Sequence, residues 1–484
     1  MVTSWTSFHA SLPPAAAHAN PYPLDATAFT GADIGAQINA AFASLPVSGG
    51  TVLLPSSATA YVATTQITVR ANCRLLLEAL TLQVSAPILC ANGSSIVGIG
   101  IQSVIQPSGH TGSVSYAVTN AGNVGLGEGK ATANFSLRLS SFYIDGNAAG
   151  NPVNSLGGIW LVNCANCLIE HVVVKNTKGL HTCGIRSFKG TRNTFFHCTA
   201  ENCAYIGLSI ALDKQWNLSH CHATHNGNNG IDTGIGASQG QVVACECTGN
   251  GGNGFNPDAS SDVQVIGGNF SGNTLHGIAA TNLQRNISII GARVMGNNRT
   301  GIFVNNNSNS VTISGCCIAE NMQQGILINA SSSVAVTGCE ITNNGRASAN
   351  TIDGVLIRSE AGKAAKNIIV GNTINGASQR YGVSEDSTGG GVVGSNIIAL
   401  NFMVENGTGA MYNLGSSTQA IGNRVDYTGV IGFTTREGFG NGAAATPVTT
   451  TTKHSGSGPT TPQTIVKYME VNLAGTSYWI PLVQ

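Results

Sequence analysis

A glycine followed by a large apolar residue returns along this chain at nearly constant intervals, and no other feature restricts its folding as tightly. The dipeptide starts at Gly158, Gly184, Gly207, Gly230, Gly254, Gly277, Gly301, Gly325, Gly354 and Gly382, with spacings of 26, 23, 23, 24, 23, 24, 24, 29 and 28. A second marker runs beside it at Asn176, Asn202, Asn226, Asn250, Asn273, Asn297, Asn321 and Asn344. Two markers in phase at a period of about 24 predict a solenoid, in which each repeat is one coil stacked on the next.

Within a repeat the apolar residues alternate over short runs. In the stretch from Gly301, Ile302 and Val304 are followed by a polar turn, then by Val311 and Ile313, a corner, and Ile318. Runs of period two this short are strands, and no helical period fits them. Parallel coils about 4.8 Å apart would bury each inward face on its neighbours. The asparagine column would then bond its own turn and the equivalent amides above and below. Cys198, Cys221, Cys245, Cys316 and Cys339 share one column, two residues before the inward Ala200, Ala223, Cys247, Ile318 and Ile341. An odd total of 13 cysteines, set in this frame, is expected to be a reduced interior stack of small apolar side chains.

The ends break the pattern. Ile34, Ile38, Phe42 and Leu45 fall on one helical stripe within residues 32–46, followed by a strand in the Gly49–Pro55 stretch. That helix is expected to cap the open first coil. Residues 1–30 read as an N-terminal extension, 31–430 as the solenoid, and 431–484 as a linker followed by a hairpin over 468–483. The fold class expected is all-β: a single-stranded right-handed parallel β-helix with an N-terminal capping helix and a C-terminal hairpin tail.

Charge excludes several partners. Lys+Arg and Asp+Glu are both 22, so no net field draws the chain to nucleic acid or an anionic membrane. Charged residues are 9% of the total, against roughly 25% in ordinary globular proteins, so any cluster of them is informative. No apolar run approaches the roughly 20 residues needed to span a bilayer. Gly is abundant at 62, but not at every third position, which excludes collagen.

The opening segment 32–69 and the Asn and Gly columns resemble those of the pectate-lyase-like β-helix superfamily, over roughly residues 30–430. That fold serves lyases, hydrolases, epimerases, fructan transferases and phage tailspikes, so the resemblance implies a polysaccharide or oligosaccharide partner without choosing the chemistry. It also implies a secreted or periplasmic protein, although the N-terminus lacks the charged and apolar regions of a signal peptide. The coils around 253–258, Asn-Gly-Phe-Asn-Pro-Asp, resemble those of mannuronan C5-epimerases and alginate lyases. Asn253, Asn256 and Asp258 stand where that family's motif has Tyr, Asp and His.

Strand alternation places the second and fourth residues after each anchor glycine on the outer face. Trp160, Phe188 and Phe303 would there stack on sugar faces, and Arg186 and Lys189 would hold hydroxyls or carboxylates. Asp213 and Lys214 are expected further out on a turn, with Asn256 and His276 lining the same groove. Asp232 and Asp258, one coil apart and two residues apart along a strand, would lie roughly 8 Å from each other. That separation suits an inverting glycosidase, in which one carboxyl protonates the leaving oxygen and the other activates water. The leading expectation is therefore an enzyme that breaks or rearranges glycosidic bonds. A lyase or epimerase acting on a uronate polymer, using Arg186 or Lys189 with Asp258 or His276, is the alternative. A tailspike-like binding module without turnover is the third. No cofactor is expected, calcium being the one ion that surface carboxylates would suit. The run Ser219–Asn226 contains His220, Cys221 and His222, which point alternately and cannot converge on one zinc ion. Phe303, Leu327 and Leu356 form an outward apolar column, expected to be covered by the terminal hairpin or by another subunit of a homotrimer.

Overall fold

The computed structural model describes residues 23–427, apart from 111–113, 124–132, 148–150, 152–154, 235, 360–361, 388–389, 413–414 and 416. It also describes the backbone of four terminal strands, Val430–Arg436, Val448–Thr451, Lys467–Leu473 and Thr476–Leu482. The chain divides into two compact units, residues 1–199 and 200–484.

After a two-residue strand, Leu24–Asp25, and a single 3-10 turn, the first unit carries the helix Ile34–Ser44, whose buried side includes Ile34, Ile38, Ala41 and Phe42. Asp33 caps it by accepting the Ala36 N–H at 2.8 Å, and also accepts the Thr64 and Thr65 N–H groups and the Thr64 hydroxyl. Coils follow in parallel register. Val52, Leu75, Ile96, Leu139, Ile169 and Phe195 stand one above the next, each 0% exposed.

The second unit repeats this arrangement with greater regularity. Strands of successive coils pair in parallel in three ladders, and each ladder sends alternate residues inward. One inward column runs through Val265, Ile289, Ile313, Val336, Ile369 and Ile398. A second runs through Val294, Ile318, Ile341, Ile374 and Met403, and the glycine-anchored ladder contributes Ile231, Phe255, Ile278, Ile302 and Ile326. Burying each such side chain stabilises by roughly 1.5–3 kcal/mol, so the stacking of columns is the main source of cohesion.

The two sequence markers explain each other. Asn226 Nδ2 donates to Asn250 Oδ1 at 3.0 Å, and the same bond links Asn250 to Asn273, Asn273 to Asn297, Asn297 to Asn321 and Asn321 to Asn344. Each amide also donates to a backbone carbonyl of the preceding coil, as Asn297 does to Phe270 at 3.0 Å. These amides press against the glycine column. A Cβ on Gly230 would lie 2.7 Å from Asn250 Nδ2, and one on Gly301 would lie 2.7 Å from Asn321 Nδ2. Glycine is therefore required by the amide beside it.

Asn176 and Asn202 depart from the predicted column. Both are exposed with positive φ (55° and 52°), so they occupy the turn one residue earlier. Cys203 takes the ladder position instead, its N–H bonding Asn226 Oδ1 at 3.0 Å. All 13 cysteines are free thiols, 12 of them buried. Cys316 shows how they settle, donating to the Ile289 carbonyl of the preceding coil at 3.6 Å.

At the C-terminal end Gln419–Tyr427 pairs antiparallel with Val430–Arg436, which pairs with Val448–Thr451. The last of these lies within the stretch read from sequence as linker. The run of β-branched residues Val448–Thr451 has enough strand preference to extend a ladder already formed. Lys467–Leu473 and Thr476–Leu482 form the expected hairpin. No described helix is long and apolar enough to cross a membrane.

Candidate active site

In the second unit the glycine-anchored ladder carries Asp232 at an outward position, in register with Ser209 on one side and Asn256 on the other. Its flanking residues Ile231 and Thr233 are inward and 0% exposed. Asp232 Oδ2 accepts the side-chain amides of Asn229 at 2.7 Å and Asn256 at 3.0 Å. The network continues across the coils. Asn229 Oδ1 accepts the Asn253 N–H at 2.8 Å, and Asn253 Oδ1 accepts the His276 N–H at 3.1 Å.

His276 ends this chain of contacts. Its ring stacks on Phe303 with centroids 4.7 Å apart and an interplanar angle of 26°. Burial first, then the nearby Arg299 charge, lowers its pKa to about 4, so the imidazole is neutral at neutral pH. Nδ1 is buried and has no hydrogen-bond partner. A neutral imidazole can take up a proton, and this one lies two coils on from the oriented Asp232 carboxylate.

Asp258 belongs to a different hydrogen-bonded group. The strand Phe255–Asn256 stops two residues before it, and its N–H turns back to the Asn256 carbonyl at 3.0 Å. The strand rise used to place it beside Asp232 therefore does not apply. Its Oδ1 accepts the Asn282 amide at 2.5 Å, and Asn282 in turn accepts that of Asn306 at 2.8 Å. Asp258 thus heads a separate side-chain ladder along the outer turn.

Asp213 is not out on a turn: it is 0% exposed. Leu212 takes the positive φ of 58° at that corner and turns outward, sending Asp213 in. Lys214 is exposed and bridges by its backbone to Ser238. The outward apolar column also differs from expectation. Leu327 and Leu356 are 5% and 7% exposed within the single chain, so neither needs another subunit to bury it. Strands one ladder spacing apart let outward side chains cover one another.

The aromatic and basic residues predicted around 160–189 belong to the first unit. Trp160 pairs in register with Arg186, and Tyr116 packs against Trp160 at 5.0 Å. The Arg186 guanidinium lies 5.5 Å from the Trp160 ring and 5.3 Å from that of Phe188, and the Lys189 amine 5.2 Å from the latter. Trp160 and Phe188 are 4% and 7% exposed, so they act as a packed support for the cations rather than as open platforms. His222 pairs with Glu246 at 3.0 Å. Among the described residues no group of three His, Cys, Asp or Glu side chains is placed to hold a metal ion.

The "Right handed beta helix region" family model matches residues 134–270 and 207–374. The chain is a right-handed parallel β-helix of the pectate-lyase-like kind. This β-helix is similar to the A-module of the mannuronan C-5 epimerase AlgE6 of Azotobacter vinelandii, at 17% identity and a TM-score of 0.55, covering 83% of this chain and 98% of that one. It is similar to the tailspike protein gp49 of Pseudomonas phage LKA1 at 10% identity and a TM-score of 0.51, covering 74% and 76%. PfbA, a surface adhesin of Streptococcus pneumoniae, matches at 11% identity and a TM-score of 0.51, covering 95% and 98%. At these identities the likeness of the β-helix is one of fold. No curated protein matches it in sequence.

Sequence reasoning missed Asn229 and Arg299. Asn229 stands immediately before an anchor glycine, and the same position in the next coils is Asn253 and His276. That column was the available signal.

Proposed function

We propose that this β-helix acts on a polysaccharide, breaking or rearranging its glycosidic bonds at the outer face of the glycine-anchored ladder. The observation that carries the reading is Asp232, a carboxylate only 9% exposed, oriented by two side-chain amides in a chain where charge is scarce. Fold likeness to an epimerase module named for a polysaccharide supports the substrate class. Asp232 serves as the proton-transferring carboxyl; Asp258, on the following coil but held in a separate hydrogen-bonded group, is the candidate for the second. Incubation with alginate, pectate, dextran and inulin, following reducing ends, the ultraviolet absorbance of unsaturated uronates and product masses, tests this. Asp232→Asn should lower turnover by about 10²–10⁴-fold. Unchanged turnover in Asp232→Asn overturns the assignment.

A second reading is favoured by His276. A neutral imidazole is the form that removes a proton, as lysis or epimerisation of a uronate requires, with Arg299 as a nearby positive charge. It predicts new ultraviolet absorbance, or changed sugar stereochemistry without new reducing ends, that is lost in His276→Gln. Binding of a polymer without any turnover supports a tailspike-like module instead.

A further inference from the structure

Far along the same ladder the second unit carries a cluster that the Asp232 site does not use. Asp353 is 1% exposed, and its carboxylate takes four donors: Arg380 Nε and Nη2 at 2.8 Å each, the Ser384 hydroxyl at 2.5 Å and the Tyr381 N–H at 3.3 Å. This bidentate grip fixes the plane of the guanidinium on a side chain that is 36% exposed. Arg380 lies 5.1 Å from the Tyr381 ring and 5.9 Å from that of Tyr412. The two rings stack with centroids 4.8 Å apart at 11°, and Tyr412 is 51% exposed. Among the described residues Arg380 Nη1 has no hydrogen-bond partner.

Those parts are a buried anchor, a fixed cation with an unused donor nitrogen and an open aromatic face. Ordinary surface tyrosines are not built this way: here a fully donated carboxylate is spent on holding one arginine at the surface. We propose that Tyr412, Tyr381 and Arg380 form a distal glycan-binding platform, which takes one pyranose unit by its C–H face while Nη1 donates to a hydroxyl or carboxylate oxygen. The position fits an extended polymer. Register pairs carry the outward column of Asp232 through Asn256, Phe303, Leu356 and Ser384 to Tyr412, seven ladder steps on. That is on the order of 34 Å. The platform rests on the reading that the protein engages polysaccharide, and it adds a second point of attachment remote from the chemistry.

The test is affinity electrophoresis of the full chain in gels containing alginate, pectate, dextran or inulin, beside turnover of long and short chains of the same polymers. Wild type should be retarded by at least one polymer, and Tyr412→Ala and Arg380→Ala should each weaken that retardation about tenfold. Tyr412→Phe, which keeps the ring, should retain it. Tyr412→Ala should lower turnover of long chains more than that of short ones, whereas Asp232→Asn should abolish turnover of both while keeping wild-type retardation. Full affinity in Tyr412→Ala and Arg380→Ala, or no retardation of the wild type on any gel, overturns the platform. Turnover that survives Asp232→Asn sinks the active-site assignment but not the platform, so the two ideas fail separately.

Discussion

His276 shows how much one side chain is set by its surroundings. Folding lowers its pKa from 6.5 to about 4, so between those values the unfolded chain binds a proton that the native chain refuses. Stability is therefore complete above about 6.5 and is lost as pH falls toward about 4, by up to roughly 3 kcal/mol. Urea unfolding at several pH values should show that slope, and His276→Gln should flatten it. Glycine positions make a complementary prediction. Gly301→Ala would force a methyl group to within 2.7 Å of Asn321 Nδ2 and of the Gly325 carbonyl, so stability should fall by about 1–3 kcal/mol, read as a lowered urea midpoint. The anchor glycines and the inward residues were readable because a period of two dozen residues fixes which side chains share a column. Asp213 was not, since one residue of positive φ at Leu212 reverses which side faces in, and no composition signal announces that corner.

Elements differ in how well they advertise themselves. The capping helix is legible from its stripe, and Asp33 fixes its start, accepting from both its own helix and the turn at Thr64–Thr65 between two short strands. Burial works to raise the Asp33 pKa, but the donors of Thr64, Ala36 and Thr65 outweigh it and hold the carboxyl well below the usual range. Its contribution is present above the ordinary carboxylate pKa and is lost as acid titrates the folded form. Asp33→Ala should cost about 1 kcal/mol, measured as a lowered unfolding midpoint at neutral pH, with the difference shrinking in strong acid. The candidate site was less legible than the cap. Asp232 lies on the outward side of its strand but is only 9% exposed, and the strand carrying Asp258 ends early at Asn256, because Pro257 has no N–H to continue the ladder. The Asp353–Arg380 pair was hidden for a related reason: the anchor spacing widens to 29 and 28 there, which blurs the frame by which outward residues were sorted.

At the scale of the whole molecule, cohesion comes from repetition, not from covalent links. All 13 thiols are free, so dithiothreitol should leave the thermal unfolding midpoint unchanged, and a thiol count in denaturant should return every cysteine. A midpoint that drops on reduction would show cross-links that this packing does not contain. The amide spine has an irregular joint past Asn344. Asn344 hands its bond not to another asparagine but to Gln379 Oε1 at 3.1 Å, 35 residues on, and Gln379 passes it to Asn406 at 2.9 Å. One extra methylene reaches across where the backbone swings wider. Extra residues can therefore be spliced into a coil without severing the thread of amides, so the outer loops are free to be exchanged like fittings on a fixed rail.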